Sequence, residues 1–254
     1  MNCEFKTAKQ VYDLFKFISQ FENEVVLDCK PEGISMFTMS NCHSVFIDVN
    51  LPVPYFSSFQ CEAPTSIGLN LTVLLNALSG CNPKDTLKMI KKSDDQLTFT
   101  RISEDESIEY QIRPMNIEQE NLDIPEMEEN VCIKIVPSYL KKWKKNMIDF
   151  TKSTLEIKPR EKSLVLSSKG DGGSVTSTQS MPSFGIEYEV NKEAEPVQLG
   201  NKNVTKAFTI GDISKDIEMG WANGMPFRMS AYMGDSGTLR VFMAPCLNED
   251  MVED

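Results

Sequence analysis

Apolar residues recur with a helical period in four short stretches and with a two-residue period in the runs between them. The chain therefore reads as short helices set among many strands. Over residues 7–20, Val11, Leu14, Phe15, Ile18 and Phe21 share one face, opposite Lys6, Lys9 and Lys16. Residues 69–78 gather Leu71, Leu74, Leu75 and Leu78, with Thr72, Val73, Asn76 and Ala77 on the far side. A third helix, announced by Pro137-Ser138, is expected over residues 139–150. There Leu140, Trp143, Met147 and Phe150 fall within an arc of roughly 80°, Lys141, Lys142, Lys145 and Lys152 cluster opposite, and Ile148 falls on the lysine side. The fourth, residues 202–210, sets Val204, Ala207 and Phe208 against Lys202 and Lys206.

Strand patterns occupy residues 24–28, 34–39 and 45–49, the first two separated by the turn Lys30-Pro31-Glu32-Gly33. They return at 131–136, 155–158 and 163–167, around Lys158-Pro159-Arg160-Glu161. Matching elements lie about 128 to 130 positions apart, so the chain nearly repeats itself at half its length. Ile108, Tyr110 and Ile112 alternate with Glu109, Gln111 and Arg113 near the end of the first half; Phe227, Met229, Ala231 and Met233 alternate with Arg228, Ser230 and Tyr232 near the end of the second. The glycine-rich 168–173 segment lies between strands, which favours a hairpin turn over a phosphate loop. Each half is then an antiparallel sheet assembly with two helices on one face, an α+β class. Between the halves runs an acidic stretch with Met115, Ile117, Leu122, Ile124 and Met127 spaced through it and Pro125 in the middle. It has neither period. It reads as a linker, residues 115–130, between domains at 1–114 and 131–254.

The 254 residues carry 37 acidic and 26 basic side chains, net charge -11, which by itself argues against a polyanionic partner. Its distribution changes the picture. Residues 104–129 hold ten acids and one base, whereas residues 134–162 hold nine bases and three acids, so that window is +6 and the remainder of the chain -17. A lysine strip is ordinarily a solvated helix face; it is also a surface that a nearby polyanion would relieve of self-repulsion. Three of the four expected helices put lysine opposite the apolar stripe. If they line a common surface, an acidic molecule acquires one basic face. Seven scattered cysteines without a C-x-x-C pair argue against a disulfide framework or a zinc ribbon and suit a reducing compartment. The single histidine, His43, excludes catalysis built on paired histidines, and no apolar stretch is long enough for a signal peptide or a membrane span, so a soluble intracellular protein is expected.

Five segments together resemble the eukaryotic-type sliding clamp family, proliferating cell nuclear antigen. They are Gly33-Ile-Ser-Met-Phe-Thr-Met-Ser-Asn-Cys-His43, Gly68-Leu-Asn-Leu-Thr72, Asn121-Leu-Asp-Ile-Pro-Glu126, Glu195-Pro-Val-Gln-Leu199 and Leu239-Arg-Val-Phe-Met-Ala-Pro245, spread over nearly the whole chain in family order. The resemblance implies a homotrimeric ring of two-domain subunits, sheets outside and helices around a hole that encircles double-stranded DNA. Such a ring is a DNA polymerase processivity factor. It tethers polymerase and other proteins that carry a short glutamine-aliphatic-aromatic motif, is opened by a clamp loader ATPase, and works in the nucleus or, for a viral version, at a replication site in the nucleus or cytoplasm. No catalytic residue, cofactor, metal or membrane is implied.

By position the resemblance assigns DNA contact to Lys142 and Lys145, with Lys9, Lys16, Lys141, Lys202 and Lys206 on the family's channel helices. It assigns the peptide groove to Met39, His43 and Phe46, to Leu122, Ile124 and Pro125 of the linker, and to Pro226, Phe242, Met243, Ala244 and Pro245. Subunit contact falls to Ile108, Tyr110 and Ile112 on one edge and Val175, Thr176 and Thr178 on the other. Two departures bear on partner choice: Ser44 stands where the family usually has an apolar residue, and Cys246 where it favours lysine. Three other readings remain open on the sequence: a checkpoint-type clamp subunit that assembles with different partners, a metal-dependent nuclease or phosphotransferase using the many acids, and an acidic scaffold or chaperone with no DNA role. The acids concentrate at 104–106, in the linker and in the tail, all places expected to be solvated.

Overall fold

A computed structural model describes residues 1–118, 128–181, 186–191 and 194–246. The chain divides into two units, residues 1–122 with Tyr232–Leu239 and residues 123–231 with 240–254.

The first unit runs β1 (Asn2–Phe5), α1 (Ala8–Ile18), β2 (Glu24–Lys30), β3 (Gly33–Met39), β4 (Val45–Pro52), β5 (Phe56–Gln60), β6 (Thr65–Asn70), α2 (Leu71–Ala77), β7 (Thr86–Ser93), β8 (Gln96–Ile102) and β9 (Ser107–Ile112). One sheet has the order β5-β1-β7-β8-β9; a second run has β4-β3-β2-β6, and every pairing is antiparallel. The Lys30–Gly33 pair closes the β2–β3 hairpin across Pro31 and Glu32. Gly33 has φ +145, and a Cβ there would lie 2.2 Å from the Leu51 carbonyl, so only glycine fits. Helix α1 buries Val11, Leu14, Phe15 and Ile18 as its period requires. Helix α2 starts two residues later than the leucine spacing suggests. Leu69 belongs to β6, and Asn70 ends that strand by accepting a hydrogen bond from the Val73 N–H at 3.2 Å.

The second unit repeats the plan: β10 (Val131–Ile135), α3 (Pro137–Trp143), a π-helical turn (Lys144–Ile148), α4 (Asp149–Thr151), β11 (Leu155–Arg160), β12 (Ser163–Gly170), β13 (Gly173–Ser180), β14 (Ile186–Val190), β15 (Val197–Leu199), α5 (Asn201–Ala207) continuing as a 3-10 segment (Phe208–Asp212), β16 (Ile217–Trp221), β17 (Phe227–Met233) and β18 (Gly237–Met243). Strands β14-β10-β16-β17 lie side by side, and β13-β12-β11-β15 form a four-stranded sheet. All their pairings are antiparallel. The glycine-rich segment is the turn of the β12–β13 hairpin, Gly170 pairing with Gly173.

The π turn corrects the expected lysine helix. Leu140, Trp143 and Met147 are buried as anticipated, but Ile148 is buried too at 1% and Phe150 is 63% exposed. An i→i+5 turn adds one residue to the helix and retards everything after it by about 100°. Ile148 therefore rotates inward from the lysine side, and Phe150 rotates outward from the core stripe to the side of Lys142 and Lys145.

Strands β9 and β13, the two expected subunit edges, each end a row, so one side of their backbone pairs with no other strand among the described residues. Ile108 and Tyr110 are half-buried and Ile112 is buried at 7%. Val175 is half-buried, and Thr176 and Thr178 are exposed.

Candidate nucleic-acid and partner surfaces

The lysine helices owe their exposed cations to amphipathic spacing, yet several of those cations already have partners. On α1, Lys9 pairs with Asp13 one turn on, and the Lys9 and Lys16 ammonium groups lie 5.2 and 5.7 Å from the Tyr12 ring centroid. On α3, Lys141 Nζ reaches Asp212 Oδ1 at 2.9 Å, linking the helix to the 3-10 segment after α5. Lys142 and Lys145 are exposed, and no carboxylate among the described residues pairs with them. Lys202 of α5 is exposed and Lys206 half-exposed. Lys142, Lys145, Lys152 and Lys202 of the second unit are thus exposed without a carboxylate partner among the described residues, while Lys141 is held by one. Sequence spacing could not show this, because Lys141 and Asp212 are 71 positions apart.

On the first unit, Met39 and His43 line a concavity of about 370 Å³ together with Val25, Val26, Phe37 and Ile117, rimmed by Glu22, Glu24 and Glu118. Ile117 is the second apolar position of the expected linker. Phe46 stands half-buried beside it in β4, its ring centroid 4.0 Å from that of Phe37. His43 takes φ 52, a left-handed turn that brings Nδ1 to 2.9 Å from Met39 Sδ. The neighbouring Cys42 thiol is exposed, and hydrogen bonding with Ser40 and then Ser44 pulls its pKa down to about 7. Leu122, Ile124 and Pro125 lie outside the described residues. Pro226, Phe242, Met243, Ala244 and Pro245 belong to the second unit, where Phe242 and Met243 are buried at 7% and 1%, Pro226 and Pro245 half-buried and Ala244 exposed.

The linker's first residues are fixed in the first unit. The Met115 N–H donates to the Gly68 carbonyl at 2.9 Å, and a Cβ on Gly68 would sit 2.2 Å from the Met115 carbonyl oxygen. Just inside its other end, Glu129 departs from the expectation of a solvated acid. It accepts from Arg228 Nε at 2.5 Å and Nη2 at 2.7 Å, and the same Nη2 reaches Glu218 at 2.5 Å. These side chains are only 12–15% exposed. Burial opposes the Arg228 charge, but its hydrogen bonds to Glu129 and Glu218, and their charges, outweigh it and hold the guanidinium above its ordinary pKa. Glu129, Cys132 and Glu218 place one ligand atom each within 4.8 Å of one another, a spacing that could hold a cation. The guanidinium already occupies both carboxylates. No motif in the sequence marks this cluster, whose members come from β10, β16, β17 and the residue preceding Asn130.

Residues 1–122 match the family model described as proliferating cell nuclear antigen, N-terminal domain. The proliferating cell nuclear antigen of Chaetomium thermophilum is 28% identical over 255 residues, covering 95% of each chain. The DNA polymerase sliding clamp of Pyrococcus furiosus is 24% identical over 252 residues, covering 96% of this chain and 98% of its own. The crystal structure of the proliferating cellular nuclear antigen from Entamoeba histolytica superposes with a TM-score of 0.89 at 22% identity, over 97% of this chain and 98% of that one. The matched amino-terminal domain, relatives aligned along nearly their whole length and the doubled sheet-and-helix plan agree, and the chain belongs to the proliferating cell nuclear antigen family.

Proposed function

We propose that this chain is a DNA polymerase processivity factor, a clamp that closes on itself as a homotrimer, encircles duplex DNA and holds replication and repair enzymes to it. The observation that carries the DNA assignment is the pair Lys142 and Lys145, exposed and without a carboxylate partner among the described residues, in a chain of net charge -11. Flexible ammonium groups bind phosphates without fixing register, whereas base readout would arrest movement along the duplex. Lys9, Lys16, Lys141, Lys202 and Lys206 complete the contact surface, and enclosure supplies the persistence that these weak contacts lack.

Residues 1–114 and 131–254 serve as the two clamp domains, with 115–130 connecting them. Copies join head to tail through β9 and β13, whose open edges are otherwise aggregation hazards. Peptides with a glutamine-aliphatic-aromatic motif dock at the surface of Met39, His43 and Phe46, with the linker and the carboxy-terminal apolar residues completing the groove. A loader ATPase opens the ring, the protein works in the nucleus, and its role is tethering without chemistry of its own.

The deciding experiment replaces Lys142 and Lys145 by glutamate together. DNA-dependent polymerase stimulation should fall sharply while sedimentation still shows the trimer; full stimulation by the double variant refutes the DNA assignment. Wild-type chain that stays monomeric at every concentration refutes the homotrimer and leaves a clamp built with different subunits.

A further inference from the structure

The polar face of α1 carries an aromatic ring that phosphate binding alone does not use. Lys9, Tyr12 and Lys16 stand at i, i+3 and i+7, within an arc of roughly 60° at about 100° per residue, opposite the buried Val11, Leu14, Phe15 and Ile18. Tyr12 is half-buried, and its hydroxyl makes no hydrogen bond among the described residues. Charge brackets the ring. The Lys9 and Lys16 ammonium groups lie 5.2 and 5.7 Å from its centroid, reaching it from a lysine one turn before and a lysine one turn after. Lys9 is also held by Asp13, whereas Lys16 is exposed and no carboxylate among the described residues pairs with it. The two lysines are rooted about 10.5 Å apart along the helix axis, with the ring between them.

We propose that α1 is a docking face for single-stranded DNA, with an unpaired base stacked on Tyr12 and the flanking phosphates on Lys16 and Lys9. The proposal rests on reading the lysine helices as a nucleic-acid surface, and it adds a strand state that the duplex contact of Lys142 and Lys145 does not need. A duplex presents phosphates and sugars to a helix face and keeps its bases stacked inside, so the ring finds no partner there. An unpaired base exposes its π face. An aromatic side chain set between cations then takes up both parts of a single strand, the base by stacking and the backbone by charge. A strand that draws the two ammonium groups onto its phosphates also uncovers the ring for its base. Asp13 makes Lys9 the weaker contact, so Lys16 supplies most of the phosphate attraction.

The test follows fluorescence anisotropy of labelled oligo(dT), of an abasic strand of the same length and of duplex, at low ionic strength, with the full chain and its Tyr12→Leu, Tyr12→Phe and Lys16→Gln variants. Oligo(dT) should bind wild type more tightly than the abasic strand does. Tyr12→Leu should weaken oligo(dT) about fivefold or more while the abasic strand and the duplex stay within about twofold, and Tyr12→Phe, which keeps the stacking face, should restore wild-type affinity. Lys16→Gln should lower the slope of log affinity against log salt for the single strand by about 0.7. Should Tyr12→Leu unfold, the wild-type difference between oligo(dT) and the abasic strand decides by itself. Equal losses on all three probes in Tyr12→Leu would make the ring a support for its lysines and overturn the proposal, as would an unchanged oligo(dT) affinity. Wild type that binds duplex and not oligo(dT) overturns it while the duplex reading stands. Wild type that binds neither removes the nucleic-acid reading on which it rests.

Discussion

Replacing Arg228 by methionine isolates the energetics of a deeply set ion cluster of the second unit. The substitution keeps most of the side-chain volume and removes a guanidinium that bonds two carboxylates, Glu129 and Glu218, each 15% exposed. Two acids then face each other without a cation in a site that excludes most water. Breaking a buried pair in this way costs about 3–5 kcal/mol, whereas removing every charge together is close to neutral. Both tryptophans, Trp143 and Trp221, are buried in this unit, so their fluorescence follows its unfolding and not that of the first unit. In urea, with a slope of about 1–3 kcal/mol per molar, the Arg228→Met midpoint should fall by about 1–5 M. The triple variant Arg228→Met, Glu129→Gln, Glu218→Gln should return to within about 1–2 kcal/mol of wild type. A loss below about 1 kcal/mol in the single variant, or a triple variant no better than the single, would show that the cluster is solvated and refute the reasoning.

Cys42 should alkylate with a midpoint near pH 7, because the thiolate fraction rises as pH climbs through its lowered pKa of about 7. Between pH 6 and 7 the iodoacetamide rate should rise about fivefold, while Cys29, pushed up to about 12 by burial and then by Cys61, stays inert in the folded chain. Ser44→Ala should move the Cys42 midpoint upward; an unmoved profile would show that the Ser44 hydroxyl does not hold the thiolate. Gly68→Ala should expel Met115 from its bridge, since the new methyl would lie 2.2 Å from the Met115 carbonyl, and hydrogen exchange at the Met115 amide should accelerate by an order of magnitude or more. Unchanged protection there would mean that the linker's start is held elsewhere. Asn70→Ala should cost about 1 kcal/mol by leaving the Val73 N–H uncapped, read as a lower thermal midpoint of the first unit; substitution by aspartate should restore it.

Periodicity revealed what depends on local spacing. The leucines of α2, the core stripe of α1 and the alternation of β9 and β17 all stand where their patterns put them, because burial of one face is a property of neighbouring residues. The half-length repeat exposed the doubled plan for the same reason. What escaped is non-local or subtracts from a pattern. The misplaced Ile148 was the visible sign of the π turn, but a 3.6-residue period treats such a residue as noise. Glu129 was hidden in an acidic run and meets Arg228 from 99 positions away. Lys9 and Lys141 look like free cations in a helical projection, although one is satisfied by Asp13 and the other by Asp212.

Those satisfied lysines bear on how a closed clamp travels. A phosphate that approaches Lys141 meets the Asp212 carboxylate beside it, so the attraction gained is reduced by the neighbouring negative charge. Binding sites weakened in this way differ little in depth from the gaps between them. On the proposed DNA assignment, friction on the track is set by Lys142, Lys145 and Lys202, and the carboxylate-held Lys9 and Lys141 act as a smooth bearing that gives way at each step.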